Sequence, residues 1–547
     1  MDRPVFQYAK VLLERCESGR IGLTANELTW VTGSEGSNPS LSARGSGTWC
    51  RTIRMVGPLR RACRVPSPRR DPALYGGVCD EVGLYWLQTL GCPKNQVDSD
   101  KLEGYLAAQG YGRAPDAEAA DLVVINTCAF IDAARQESID TVLTLADRRR
   151  PGARLVVTGC MAERYGDELR DALPEVDLVA GFGSELTTPL TTPSAVGAVP
   201  VTLTAGRRDA RPVQATNGFD LLELPRPAAH APWAYIKVAE GCDRICGFCA
   251  IPSFRGKQRS RSTEDVLAEV DALRASADGA PSLREIVLVA QDLASYGRDR
   301  SGPGRRTRIA HGPSPIAALT RAVAARVDRT RLLYLYPSGL TDELIETVLG
   351  TGVPYFDLSL QHVSRPLLAA MRRWGDGDRF LRRIDDIRAA ESDATFRSSF
   401  ILGYPGETER DHDLLLEFLA AAQLDWAGFF PYSLEDGTHA AGLDKQVPTE
   451  LALERLRECA ELQDAITAAK RDALIGVTRQ VLVDAPGQGR TVHEAPEIDG
   501  IVHLPDDLAV GSLVDVTITG AEGPDLYARA TDRGAVPAGA VAGAGTL

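Results

Sequence analysis

From Val82 onward, apolar and polar positions alternate in blocks. The runs GLYWLQTL (83–90), DLVVIN (121–126) and ARLVVTG (153–159) are short and apolar, which predicts strands, with helical patterns between them. Asp98 is placed to cap a helix running through Leu102 and Leu106. Such alternation predicts a parallel sheet with helices on its faces, over residues 82–190. A Thr/Pro/Ala-rich linker is expected at 191–227. A second series then spans 228–470, with predicted strands WAYIKVA (233–239), EIVLVAQ (285–291), RLLYLY (331–336), PYFDLSL (354–360), FRSSFIL (396–402) and WAGFFPY (426–432). Helical patterns near 264–275, 341–349, 378–390 and 409–422 separate them, so a partial (β/α)6 barrel is expected, with its chemistry at the carboxyl ends of the strands.

Residues 471–535 hold short β-type runs broken by Gly, Pro and Asp (VTRQVLVDA, GIVHLP, SLVDVTITGA, LYARAT). They predict a small antiparallel β-barrel of OB-like size. The Gly/Ala-rich stretch 536–547 is expected to be a flexible tail. Residues 1–81 lack sustained periodicity and are rich in Arg, Ser, Gly and Pro, too poor in apolar surface to offset the entropy of ordering. They are expected to be a disordered extension. Gly36-Ser37-Asn38-Pro39-Ser40 can be encoded by GGT-TCG-AAT-CCC-TCN, which reads like the T-arm of a transfer-RNA gene. A natural start at Met55, or at a later codon such as that of Val78 or Val82, is therefore expected; a basic tail touching ribosomal RNA is the alternative.

Charge narrows the possible partners. The chain carries a net −13, but residues 1–80 are at +5 and the remainder at −18. An acidic body argues against a broad electrostatic grip on nucleic acid. No apolar run reaches the length of about 18 residues that a membrane helix needs, and the N-terminus lacks the apolar core and cleavage site of a signal peptide. A cytoplasmic location is expected. Eleven cysteines is an odd number and fits a disulfide framework poorly; in a reducing compartment clustered cysteines point to metal binding or catalytic chemistry.

Two cysteine groups stand out. Cys242-Asp-Arg-Ile-Cys246-Gly-Phe-Cys249 follows the first barrel strand, and one tight loop can aim three thiolates at a single centre. Three ligands on a four-iron cluster leave one iron open, as substrate-binding metal sites require. A zinc knuckle or buried free thiols are the alternatives; zinc would want a fourth ligand, and His230 is the only histidine nearby. Cys92, Cys128 and Cys160 each follow a predicted strand, which brings them to one carboxyl edge of the sheet. Taken singly they would read as inert buried thiols.

The words around these cysteines carry a family resemblance. LGCPKNQVDSD (90–100), INTCAFI (125–131), TGCMAERY (158–165) and AEGCDRICGFCAIPSFRGKQRSR (239–261), with VAQDLASYG (289–297), DLSLQH (357–362), ILGYPGET (401–408) and PYSLEDGT (431–438), resemble the radical S-adenosylmethionine methylthiotransferases across about residues 82–533. The resemblance implies a multidomain α/β fold: an N-terminal parallel sheet domain, a radical-type partial barrel and a C-terminal TRAM barrel. It implies two 4Fe-4S clusters, one on Cys92, Cys128 and Cys160 and one on Cys242, Cys246 and Cys249, with S-adenosylmethionine as both methyl donor and radical source. Phe248, Gln291, Asp292, Gln361 and Glu407 fall at or beyond strand ends and are candidate contacts to S-adenosylmethionine. A lone Phe such as Phe248 is more often a core residue, and Gly403 and Gly406 also simply make a good turn.

Two branches of that family differ in substrate: an adenosine of transfer RNA, or an aspartate of a basic small-subunit ribosomal protein (S-twelve). Pro93-Lys94-Asn95 stands where the transfer-RNA branch typically reads Gln-Met-Asn, and the wording as a whole resembles the ribosomal-protein branch. Residues 474–533 add a physical reason, since four basic side chains face ten acidic ones there. An acidic barrel repels RNA and attracts a basic protein, unless its charge serves solubility alone. An electron donor such as flavodoxin or ferredoxin is implied as a partner, and a monomer is expected.

Overall fold

The structure, a computed structural model, describes residues 83–187, 219–275, 281–301 and 314–531. The expected extension 1–81 with Cys16, Cys50, Cys63 and Cys79, the linker as far as residue 218, and the tail 536–547 lie outside the described residues.

The first domain is a five-stranded parallel sheet: β1 (Leu84–Thr89), β2 (Gly112–Arg113), β3 (Leu122–Thr127), β4 (Arg154–Gly159) and β5 (Leu178–Val179), in the order β2-β1-β3-β4-β5. The central β3 is buried along its whole length, because helices cover both faces; this is why its sequence is a continuous apolar run rather than an alternating one. Helix α1 (Pro93–Ala108) starts earlier than the sequence suggests. Pro93, whose fixed φ suits the first helical position, begins it with Cys92 as the N-cap residue. Asp98 is therefore no cap but an interior residue, 1% exposed and ion-paired. Helices α2 (Asp132–Arg148) and α3 (Cys160–Ala172) follow β3 and β4. The end of the expected linker is also not loose. Phe219 packs at a tilt against Tyr105 with ring centres 4.5 Å apart, Leu221 joins the core beneath α1, and Lys101 donates to the carbonyls of Leu222 and Leu224 at 2.9 and 2.8 Å.

The second domain carries six parallel strands in two half-sheets. β6 (Trp233–Lys237), β9 (Glu285–Val289) and β10 (Arg329–Leu332) form one; β11 (Tyr355–Gln361), β12 (Thr395–Leu402) and β13 (Trp426–Pro431) form the other. A single bridge, Leu335 to Leu358, joins them into an open barrel. The strand expected at 331–336 lies instead at 329–332, because Tyr334 turns the backbone into the left-handed region at φ 65° and its N–H bonds Asp357 at 2.9 Å. A short antiparallel pair, β7 (Ala239–Glu240) with β8 (Arg259–Ser260), brackets the Cys242 loop. Helices α4 (Ile251–Phe254), α5 (Thr263–Arg274), α6 (Pro315–Ala324), α7 (Asp342–Leu349), α8 (Arg365–Ala370), α9 (Gly377–Ala390), α10 (Glu409–Ala422) and the long α11 (Thr449–Asp472) follow, and the largest core packs between helices and barrel.

The last domain is a closed barrel of β14 (Thr478–Ala485), β15 (Gln488–Arg490), β16 (Val502–His503), β17 (Leu513–Glu522) and β18 (Asp525–Ala530). It is antiparallel apart from the parallel pairing of β16 with β18 that closes it, a departure from the all-antiparallel expectation. It plugs the bottom of the open barrel, where the strands begin: Arg490 meets Glu285 at 2.9 Å and Asp499 accepts from Tyr355 at 2.5 Å. No helix among the described residues is long and apolar enough to cross a membrane.

Candidate active site

Cys242 lies directly beyond β7, held by a bond from its N–H to the Gly256 carbonyl at 3.0 Å. The rest of the loop is tied from the opposite side. The Gly247 N–H donates to Met371 O at 2.7 Å, and the Gly247 carbonyl accepts from Ala440 N at 2.8 Å. A side chain at Gly247 would meet the Tyr404 hydroxyl at 2.7 Å, so the loop can descend this far only on glycine. Tyr404 itself is fixed by Glu407, whose carboxylate takes the N–H groups of Gly403 and Tyr404 at 2.6 and 3.2 Å and a bond from Arg455 at 3.1 Å.

Burial raises the Cys242 thiol to about 11 and the Cys249 thiol to about 12, and their neighbouring sulfurs add to both. These two thiols, each influenced by the Cys246 sulfur, resist standing as free anions and suit a shared positive centre. Cationic partners surround them. Arg373 donates to Cys246 Sγ at 3.3 Å, and Arg244 donates to Asp292 at 2.6 Å. Both guanidinium groups lie over the Tyr336 ring, at 4.2 and 3.8 Å.

Of the expected cofactor contacts, Gln291 and Asp292 come directly to this loop. Gln291 donates to Glu240 at 2.9 Å, leaving its own carbonyl oxygen buried and without a partner; one oxygen of Asp292 is likewise buried and unmatched. Buried acceptors without donors invite hydrogen-bond donors from a ligand. Gln361 stands at the carboxyl end of β11 with φ 71°, at a register shift. Phe248 is half-buried and packed on the barrel core. Glu407 has a side chain 0% exposed, bonded to the N–H groups of the turn and to Arg455.

The second triad forms at the carboxyl edge of the first sheet. Gly159 (φ 90°) lets α3 start with Cys160 close against β3; a Cβ there would lie 2.6 Å from the Thr127 carbonyl. Asn95 threads between the strand ends, donating to the carbonyls of Leu90 and Thr127 at 2.9 and 3.1 Å. Cys128 and Cys160 are raised by burial and by neighbouring sulfur. At Cys92 burial raises the thiol too, but Lys94, Arg255 and the N–H groups of Asn95 and Lys94 outweigh it, and the net direction is downward. Lys94 is 8% exposed and lies 3.2 Å from the centre of the Tyr334 ring, which brings barrel residues to the edge of this triad.

Among the described residues, no group of three or more His, Cys, Asp or Glu side chains converges closely enough for a single metal ion. A single zinc draws its sulfurs to about 2.3 Å, whereas a four-iron cluster takes one thiolate per iron.

The comparisons with known proteins bear on what these triads are. Residues 84–181 match the uncharacterized protein family UPF0004, 236–419 the radical SAM superfamily and 475–531 the TRAM domain. The chain is 42% identical over 438 residues to the ribosomal protein uS12 methylthiotransferase RimO of Moorella thermoacetica, covering 79% of this chain and 95% of that protein. Its counterpart from Streptomyces coelicolor is 39% identical over 483 residues, covering 81% and 95%. The chain belongs to this methylthiotransferase family. Among solved structures, the radical S-adenosylmethionine methyltransferase TsrM of Kitasatospora setae is similar at 14% identity with a TM-score of 0.42, covering 79% of this chain and 84% of that one.

Within this methylthiotransferase the structure adds residues that the sequence did not single out: Glu240, Arg244, Arg255 and Arg373. Three of them lie inside the quoted motif 239–261, and a charged residue next to a buried cysteine loop was the available signal. Arg373 had none, since it reaches Cys246 only through the fold.

Proposed function

We propose that this chain is a radical methylthiotransferase that places a methylthio group on the β-carbon of an aspartate in ribosomal protein uS12. The observation that carries the reading is the pair of cysteine triads on two domains linked by Arg255, which bonds Cys160 of the set Cys92, Cys128 and Cys160 and also Glu240, two residues before the set Cys242, Cys246 and Cys249. The donor sets fit a 4Fe-4S cluster at each. Cys128, Cys160 and Cys242 are buried and the others half-buried, the thiols of each set influence one another, and Arg255, Arg373 and Lys94 supply positive charge beside them. The orphaned acceptors on Gln291 and Asp292 fit the donor groups of S-adenosylmethionine. When bound, the cluster and S-adenosylmethionine supply one-electron cleavage of a carbon–sulfur bond and a radical that removes hydrogen from substrate.

The chain's own residues do the rest. Glu407 and Tyr404 hold the Cys242 loop at its depth, and Arg244 and Arg373 clasp Tyr336 beside it. Arg135 and Arg164 of the first domain both close on Glu435, in the loop after β13, at 2.6 Å. With the pair of Asp98 and Lys237, these contacts tie the first domain both to β6 and to the loop after β13. The substrate is a protein rather than RNA, and an electron donor of flavodoxin or ferredoxin type delivers the electrons. The acidic surface of the small barrel supports the first statement, since Asp506, Asp507, Asp515 and Glu522 remain exposed on it.

The test is mass spectrometry after incubating reduced, anaerobically reconstituted protein with S-adenosylmethionine and either uS12 or transfer RNA. A methylthio mass increment on an aspartate of uS12 is expected. An increment on transfer RNA alone would overturn the substrate.

A further inference from the structure

Arg255 lies beyond the last cysteine of its motif and belongs to neither triad, yet it bonds a thiol of one and the carboxylate two residues before the other. It leaves α4 on the barrel side and crosses into the first domain. There one guanidinium nitrogen donates to Cys160 Sγ at 3.0 Å and to Asn95 Oδ1 at 2.7 Å. The other donates to both oxygens of Glu240 at 2.9 and 3.0 Å, and both nitrogens lie 3.3 Å from Asp98. Its side chain is 3% exposed. Lys237 completes the group, bonded to Asp98 and, at 2.6 Å, to Glu240. Glu240 in turn takes the hydrogen bond from Gln291 and precedes Cys242 in the chain by one glycine.

Two cations and two anions thus balance in a buried patch, and Arg255 is the member bonded to a thiol. Only a planar, permanently charged fork can serve a sulfur, an amide and two carboxylates at once. Reduction potentials of iron–sulfur clusters respond to hydrogen bonds on their sulfurs and to nearby charge, and a low-dielectric surrounding magnifies both. We propose that Arg255 is a positioning residue that sets the reduction potential of a cluster on Cys92, Cys128 and Cys160 and fixes that site against the Cys242 loop. This rests on the assignment of those three cysteines as cluster ligands.

The experiment uses full-length protein in which Cys242, Cys246 and Cys249 are replaced by Ala, so that only the first-domain cluster reports. Iron content and the midpoint potential are compared for Arg255, Arg255→Lys and Arg255→Gln. Iron should stay near four per chain in all three, by the ligand count of one cluster. Arg255→Gln should shift the potential to more negative values, because the reduced cluster loses a cation and a donor. Arg255→Lys, which keeps the charge but loses the fork, should shift it less in the same direction. Unchanged potentials in both variants would overturn the proposal. So would loss of iron in Arg255→Gln with a parental potential in Arg255→Lys, which would make the residue a structural brace alone. If the Arg255 parent itself holds no iron, the ligand assignment fails first and the proposal with it.

Discussion

Cys242, Cys246 and Cys249 share one loop, whereas Cys92, Cys128 and Cys160 are brought together only by a sheet. The two sets should therefore separate experimentally. Replacing the first set with Ala should leave about half of the roughly eight irons that two four-iron clusters bring, and abolish formation of 5′-deoxyadenosine. Replacing the second set should spare at least part of that cleavage and stop methylthiolation; iron analysis and product assays check both. Cys459, 0% exposed inside α11, should be dispensable for iron, with Cys459→Ala costing only about 1 kcal/mol of stability in thermal unfolding. The cysteines were legible in the sequence because their placement depends on local facts, a tight spacing or the end of a strand. The contacts of Glu407 and Arg255 were not. Glu407 sits beyond a strand end, and its neighbours are the turn it closes and Arg455 from α11. The reach of Arg255 into another domain is a property of the assembled fold.

At the scale of elements, the junction between the open barrel and the small one depends on buried charge pairs. Glu285, at the start of β9, bonds Arg331 at 2.8 Å and Arg490 at 2.9 Å, and Glu494 bonds Arg471 at 2.5 Å. Burial alone would raise both carboxyls, but the arginines dominate and hold each at about 2 against an ordinary 4.5. A carboxyl depressed on folding stabilises fully above its unfolded value and loses that contribution as pH falls. Stability should therefore decline as pH drops from about 4.5 toward 2, which unfolding followed by fluorescence would register. Glu285→Gln leaves two buried arginines short of their counter-ion and should cost about 3–5 kcal/mol at neutral pH. If it costs under about 1 kcal/mol, the pairs do not hold the junction. Most strands were legible from apolar runs, since strands such as β3, β4 and β9 are buried along nearly their whole length. β10 was displaced because the left-handed turn at Tyr334 interrupts an apolar run that carries no Gly or Pro to mark it. The packed end of the linker was hidden by the Thr/Pro/Ala composition preceding Phe219 and Leu221.

Across the whole molecule, the charge count of residues 474–533 overstated the field that a substrate meets. Of the acidic residues counted there, Glu494 and Asp525 are buried, the Asp499 side chain is covered, and Asp484 lies against Arg490. They neutralise Arg471, Arg397 and Arg490 or sit beside His503 rather than facing solvent. A sum over sequence cannot separate inward charges from outward ones. Docking of the first domain is the firmer whole-molecule device. Glu435, 2% exposed, is the shared counter-ion of Arg135 and Arg164, and the neighbouring Ser433 accepts from the Asp132 N–H at 3.0 Å. Glu435→Gln removes that anion from two cations and should weaken docking by about 3–5 kcal/mol. Faster hydrogen exchange in α2 and α3 is expected, with methylthiolation falling more than cleavage of S-adenosylmethionine, because only the former needs both triads. Equal loss of both activities would place the defect in the barrel. The outward acids still allow a test of substrate capture. Asp506 and Asp507 are exposed on one loop of the small barrel. Reversing both to Lys changes the local charge by four units and leaves the core untouched. Affinity for uS12 should drop several-fold at low ionic strength, where the screening length is longest, and the difference should shrink as salt is raised toward 0.5 M. Cleavage of S-adenosylmethionine without substrate should stay at its parental rate, since neither residue approaches the triads. An affinity unchanged at every salt concentration would mean that this surface charge keeps the protein dispersed and does not recruit its substrate.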